Sequence, residues 1–168
     1  MIPRRALSSV EFIALMAMLF ATVALSIDSM LPAMPQIAQE LSPTDPNRVQ
    51  MIITSFVLGM GVGTFFTGPL SDAFGRRLVI LLAAALYIAA CAMALFAKGL
   101  ELVLIARFLQ GLGAAGPRIV GLAIIRDLYS GREMARIMSF VMMVFTLVPA
   151  AAPLLGSGII ALAGWRAV

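Results

Sequence analysis

Charge is scarce in this chain: 12% of its 168 residues are Asp, Glu, Lys or Arg, against 62% hydrophobic. With a mean hydropathy of +1.05, there is too little polar surface to cover a water-soluble domain of this length, and that class is excluded. Cysteine is nearly absent as well. The single Cys91 lies inside an apolar run, so no disulfide forms within the chain and the redox compartment cannot be read from it. No nucleotide-binding loop, metal cluster or nucleophile constellation is present. Neither an enzyme nor an ATP-driven pump is therefore expected, and no cofactor.

What the chain has instead is long apolar runs. Leu78 to Ala97 carries no charged residue until Lys98, and at roughly 1.5 Å per residue it spans the ~30 Å hydrocarbon core of a bilayer. The same reading gives five membrane helices, at 11–31, 49–68, 78–97, 102–125 and 137–164, hence an all-α integral membrane fold; Pro and Gly interrupt the last two. Met1 to Ser26 also resembles a secretory signal, with Arg4 and Arg5 before an apolar core and Ala24-Leu-Ser26 as a small-x-small site. Against that reading, the apolar run continues past the site to Asp28.

Orientation follows from the cations. Arg4, Arg5, Arg76, Arg77, Arg126, Arg132 and Arg136 fall on one side, and Arg48, Lys98 and Arg166 on the other, which puts the amino terminus in the cytoplasm. The net charge of +4 is then explained by topology and gives no reason to expect nucleic acid as a partner. An odd number of crossings leaves Trp165 to Val168 outside, at the start of a sixth span, so the chain reads as a fragment or truncated product.

Small residues mark the faces along which helices approach one another in lipid. Ala14, Ala17, Ala21, Ala24 and Asp28 form one stripe of the first span, and Ser55, Gly59, Gly63 and Thr67 recur every four residues in the second. In the fourth, Arg107, Gln110, Gly111, Ala114, Arg118 and Gly121 share a face. Counting helical rise places Asp28 roughly 25 Å above the inner face and Arg107 roughly 8 Å below the outer one, at matching depth. Opposite charges on inward faces at one depth are expected to pair, directly or through water. Burial and a nearby guanidinium act on a carboxylate's proton affinity in opposite directions, so Asp28 is expected to exchange protons and Arg107 to set its affinity. The alternative is that Arg107 snorkels outward and Asp28 merely ends its helix near water. Arg118, in the inner third, is expected to reach cytoplasmic water or phosphate.

Three stretches carry a resemblance. Gly68-Pro-Leu-Ser-Asp72-Ala-Phe-Gly75-Arg76-Arg77 forms a polar turn between the second and third spans. Arg107-Phe-Leu-Gln110-Gly111-Leu-Gly113 lies in the fourth, and Pro149-Ala-Ala-Ala152-Pro153-Leu-Leu-Gly156-Ser157 in the fifth. Together they resemble the major facilitator superfamily and its proton-coupled drug antiporters. Asp28-Ser-Met-Leu-Pro32 and Arg126-Asp127-Leu-Tyr129 look like the bicyclomycin-resistance branch. Ala73 stands where members usually carry Arg, and Ala152 and Ser157 replace two glycines of the antiporter pattern.

The resemblance implies the first five helices of a twelve-helix fold in which two six-helix bundles flank a central cavity. It also implies proton-coupled efflux of drug-like small molecules across the bacterial inner membrane, with the proton gradient as energy source. Its partners would be the lipid bilayer and the missing carboxy-terminal bundle, without which the fragment is expected to be inactive. Asp28, Arg107 and Gln110 would couple proton and substrate. Gly68, Asp72, Gly75, Arg76 and Asp127 would latch the bundles, with Gly75 in a conformation other residues resist and Asp72 capping a helix start. Pro149, Ala152, Pro153 and Gly156 would form the antiporter motif of a bent helix. Met16, Met18, Met60, Met142 and Met143 would line an adaptable apolar wall. The alternatives are a facilitator for uptake or metabolite export, and a non-transporting truncated membrane protein.

Overall fold

The computed structural model describes residues 8–168, and these fold as helices joined by short turns. Arg4 and Arg5 lie outside the described residues. Helix α1 (Ser9–Asp28) opens with a capping box in which the Ser8 hydroxyl accepts from the Glu11 N–H at 3.3 Å and the Glu11 carboxylate accepts from the Ser8 N–H at 2.8 Å. Two of the donors that a helix start leaves free are thereby satisfied. A turn at Leu31–Ala33 and the short α2 (Met34–Leu41) continue the first crossing. Pro32 and Pro35 sit in the first turns of these two elements, where a missing N–H removes no bond.

A turn at Pro46–Gln50 leads into α3 (Met51–Phe74), followed by α4 (Arg76–Leu95), α5 (Leu100–Leu128) and α6 (Gly131–Ala163). Five stretches, the first of them α1 with α2, are long and apolar enough to cross a membrane. The helices extend beyond the apolar runs because hydrophobicity marks the thickness of the hydrocarbon and does not mark where hydrogen bonding stops. Thus α5 runs on to include Asp127, and α6 starts at Gly131, well before residue 137.

The expected polar turn at 68–77 is corrected most. Pro69 lies inside α3, and the chain stays helical to Phe74, so the reversal falls on Gly75 alone. Its backbone angles, φ +89° and ψ 148°, fall in a region that essentially only glycine occupies without strain. Helix α6 likewise runs unbroken through Pro149 and Pro153.

Helix α5 is the axis of the packing, with α3 and α4 along it, while α1 pairs with α6. Close approach needs small residues: a methyl built on Gly63 would come within 2.8 Å of the Leu112 carbonyl oxygen, and one on Gly113 within 2.7 Å of that of Ala83. Of the expected stripes, Ala17, Ala21 and Ala24 are buried on α1, and Gly59, Gly63 and Thr67 on α3, whereas Ala14 is exposed. Helix α4 buries only Val79 and Ala90, the pattern of a helix whose outer surface meets lipid.

One end of the molecule is closed by Met30, Ile37, Ile52, Val103 and Trp165. There the Trp165 indole donates to Glu40 at 2.6 Å, Arg166 pairs with the same carboxylate at 2.7 Å, and Arg48 meets Glu101 at 2.5 Å. Phe12, Met16, Phe20, Ile125, Ile137 and Val141 fill the opposite end.

Candidate functional site

Arg107 projects from α5 into the packing and is only 5% exposed, so it does not snorkel. Its Nη1 donates to the Ser26 carbonyl at 3.1 Å and its Nη2 lies against the Met30 sulfur. The Ser26 hydroxyl gives its single proton to the Thr22 carbonyl at 2.6 Å. That leaves the Tyr87 hydroxyl as donor to Ser26 Oγ, 2.5 Å away. Ser26 is thus held twice, through its hydroxyl by α4 and through its carbonyl by α5. One turn further along α5, Gln110 donates to the Cys91 sulfur at 3.2 Å. Arg107 Nε and Gln110 Oε1 are both buried without a partner among the described residues, an unusual state for groups that are costly to desolvate unpaired.

Arg107 does sit at the level of the end of α1, as the depth count required, but its partners are residues 26 and 30 and not the Asp28 carboxylate. No ion pair joins Asp28 and Arg107 among the described residues. Residues four apart share one face of a helix, and residue 28 lies about 200° round from residue 26. A guanidinium that meets Ser26 and Met30 therefore has Asp28 on the far side of the helix end. Asp28 itself is half-buried.

At the opposite end of α5, Arg76 draws three elements together. It meets Asp72 at 2.6 Å, Asp127 at 3.1 Å and the Ser71 hydroxyl at 2.5 Å, while that hydroxyl donates to the Gly68 carbonyl at 2.9 Å. Asp72 does not cap a helix start, because it lies in the last turn of α3 and the residue preceding α4 is Gly75. Two carboxylates near helix carboxy termini and a guanidinium at a helix amino terminus each oppose the local dipole. Their mutual pairing offsets that opposition.

In α6, Ala152 and Gly156 are buried, while Pro149 is exposed and Pro153 half-buried. A methyl on Gly156 would collide with the Ser29 backbone, so this stretch closes directly on the residue after Asp28. Met16 belongs to the packed interior and not to a cavity wall, and Met18 is exposed. A cavity of about 310 Å³ does open among α1, α3, α5 and α6. It is lined by Phe20, Thr64, Arg118, Ile119, Leu122, Met138, Met142 and Phe145. Sequence reasoning missed Tyr87, Ser26 and Met138. Tyr87 left a signal, since a tyrosine in an uncharged span needs a partner for its hydroxyl.

The major facilitator superfamily model matches residues 14–168. The chain belongs to the major facilitator superfamily. Members of this family are transporters and not enzymes. The chain is 33% identical over 156 residues to an uncharacterized MFS-type transporter, YdgK, of Bacillus subtilis, covering 92% of this chain and 39% of that protein. A bicyclomycin resistance protein homolog of Haemophilus influenzae is 32% identical over 161 residues, 96% of this chain and 40% of its own length. A chloramphenicol resistance protein of Pseudomonas aeruginosa is 34% identical over 145 residues, 86% and 34% of the two chains. The chain thus spans about a third to two fifths of the length of these relatives.

Proposed function

We propose that these residues form the amino-terminal part of a proton-coupled efflux transporter for drugs or small amphipathic molecules. It would lie in the bacterial inner membrane with its amino terminus in the cytoplasm. The observation that carries this reading is the arrangement around the end of α1. A buried guanidinium holds the Ser26 carbonyl on one side, and the Gly156 face of α6 closes on Ser29 on the other. Asp28 lies between these two grips, half-buried. A proton taken up by its carboxylate removes a charge from the membrane interior, where a charge is costly, and so changes what the end of α1 can pack against. The resistance names carried by relatives support efflux as the direction. The Arg76 cluster would act as the cytoplasmic latch to the second bundle, and the five helices alone are expected not to transport.

The test uses everted inner-membrane vesicles containing the complete transporter that carries these residues, acidified inside by respiration. A drug panel is expected to accumulate inside and to leave when nigericin collapses the pH gradient. Accumulation that survives nigericin would remove proton coupling, and accumulation of none of the panel would remove the efflux reading.

A further inference from the structure

We propose that the cavity around Arg118 is a binding subsite for amphipathic organic anions, with the anionic head on Arg118 and the apolar body against the methionine and phenylalanine wall. Arg118 is exposed, and it lies about 10 Å from residue 125, the inner end of the fourth apolar run, within the hydrocarbon thickness. An ionisable group at such depth marks a functional position unless its charge is answered locally. Among the described residues no carboxylate lies within 4 Å of the guanidinium. Among the described residues its hydrogen-bond partner is the Met60 sulfur at 3.9 Å, too weak an acceptor to balance a cation.

The surrounding chemistry fits an aromatic or aliphatic body with an acceptor at one end. Phe20, Met138, Met142, Phe145, Ile119 and Leu122 supply an apolar lining, and thioethers adapt to ligands of varied shape. Thr64 spends its hydroxyl proton on the Met60 carbonyl at 2.9 Å, and among the described lining residues Arg118 is the one charged donor. A volume of about 310 Å³ accommodates a two-ring aromatic acid. An amine of the same shape would meet the guanidinium with like charge and be rejected. The cavity adjoins the Arg76 cluster through Ile119 and Leu122, which line both spaces. An anion leaving the subsite towards that end therefore meets further cations.

This inference rests on the efflux reading for its biological sense, but binding is measured without any gradient, so the two fail separately. The complete transporter carrying these residues is purified, and equilibrium binding of tritiated 2-naphthoate is compared with that of 2-naphthamide. The acid is expected to bind at least tenfold more tightly. Arg118→Gln is expected to erase that advantage and Arg118→Lys to keep most of it. Equal affinity of acid and amide, saturable binding of neither, or an unchanged preference in Arg118→Gln would each overturn the subsite. If the glutamine variant does not fold, the acid-to-amide ratio of the unaltered protein and of the lysine variant decides. Nigericin-sensitive drug accumulation in the presence of any of those failures would leave the efflux reading standing.

Discussion

Arg107 donates to a backbone carbonyl and not to a carboxylate, and this changes what its neighbours must do. The Ser26 carbonyl is offered to it because Ser26 is fixed in turn by Tyr87 at 2.5 Å. Tyr87→Phe keeps the ring and removes that donor. Hydrogen bonds between membrane helices contribute about 0.6 kcal/mol on average, with a maximum near 1.7. The variant should therefore lose about 1 kcal/mol in reversible unfolding in mixed micelles, and no loss would mean that the bond does not hold Ser26. Much at this scale was legible in the sequence. An arginine in an apolar span needs a partner, and helical rise set its depth at the end of α1. The identity of the partner was not legible, because rise fixes height but leaves rotation free. At an interrupted helix end, carbonyls compete with side chains as acceptors.

Among the elements, the junction between α3 and α4 shows how a motif can be recognised while its local structure is misread. The glycine, proline and charged residues at 68–77 look like a turn, yet all but Gly75 are helical. Proline inside a membrane helix is tolerated because neighbouring groups compensate the lost bond. Ser71 and Asp72 therefore reach Arg76 from the last turn of a helix and not from a loop. Gly75→Val should destabilise this junction by about 1–3 kcal/mol, since the backbone there favours glycine alone. Ala73→Val, two residues away in exposed helix, should cost only a few tenths of a kcal/mol in helix propensity. Equal effects of the two in thermal unfolding would contradict the assignment of the reversal to residue 75. The helix ends were less legible than the spans for the same reason throughout: apolar runs record the bilayer, whereas α5 and α6 carry their polar ends beyond it.

Over the whole molecule, the five crossings and most of the small-residue contacts followed from composition and spacing, because lipid leaves helices few other ways to associate, whereas the place of α5 as the axis of the packing did not. The concave space bounded by α1, α3, α5 and α6 was not legible, since it depends on which faces remain uncovered once α3 and α4 have packed on α5. The central claim is that the carboxylate at the end of α1 carries the proton while Arg107 holds that helix end in place. The most direct measurement is pH-gradient-driven drug accumulation in everted vesicles containing the complete transporter, compared with its Asp28→Asn and Arg107→Ala forms at equal membrane abundance. The account predicts that Asp28→Asn loses at least tenfold of the gradient-driven rate and that Arg107→Ala loses coupling as well; undiminished accumulation in both would contradict it.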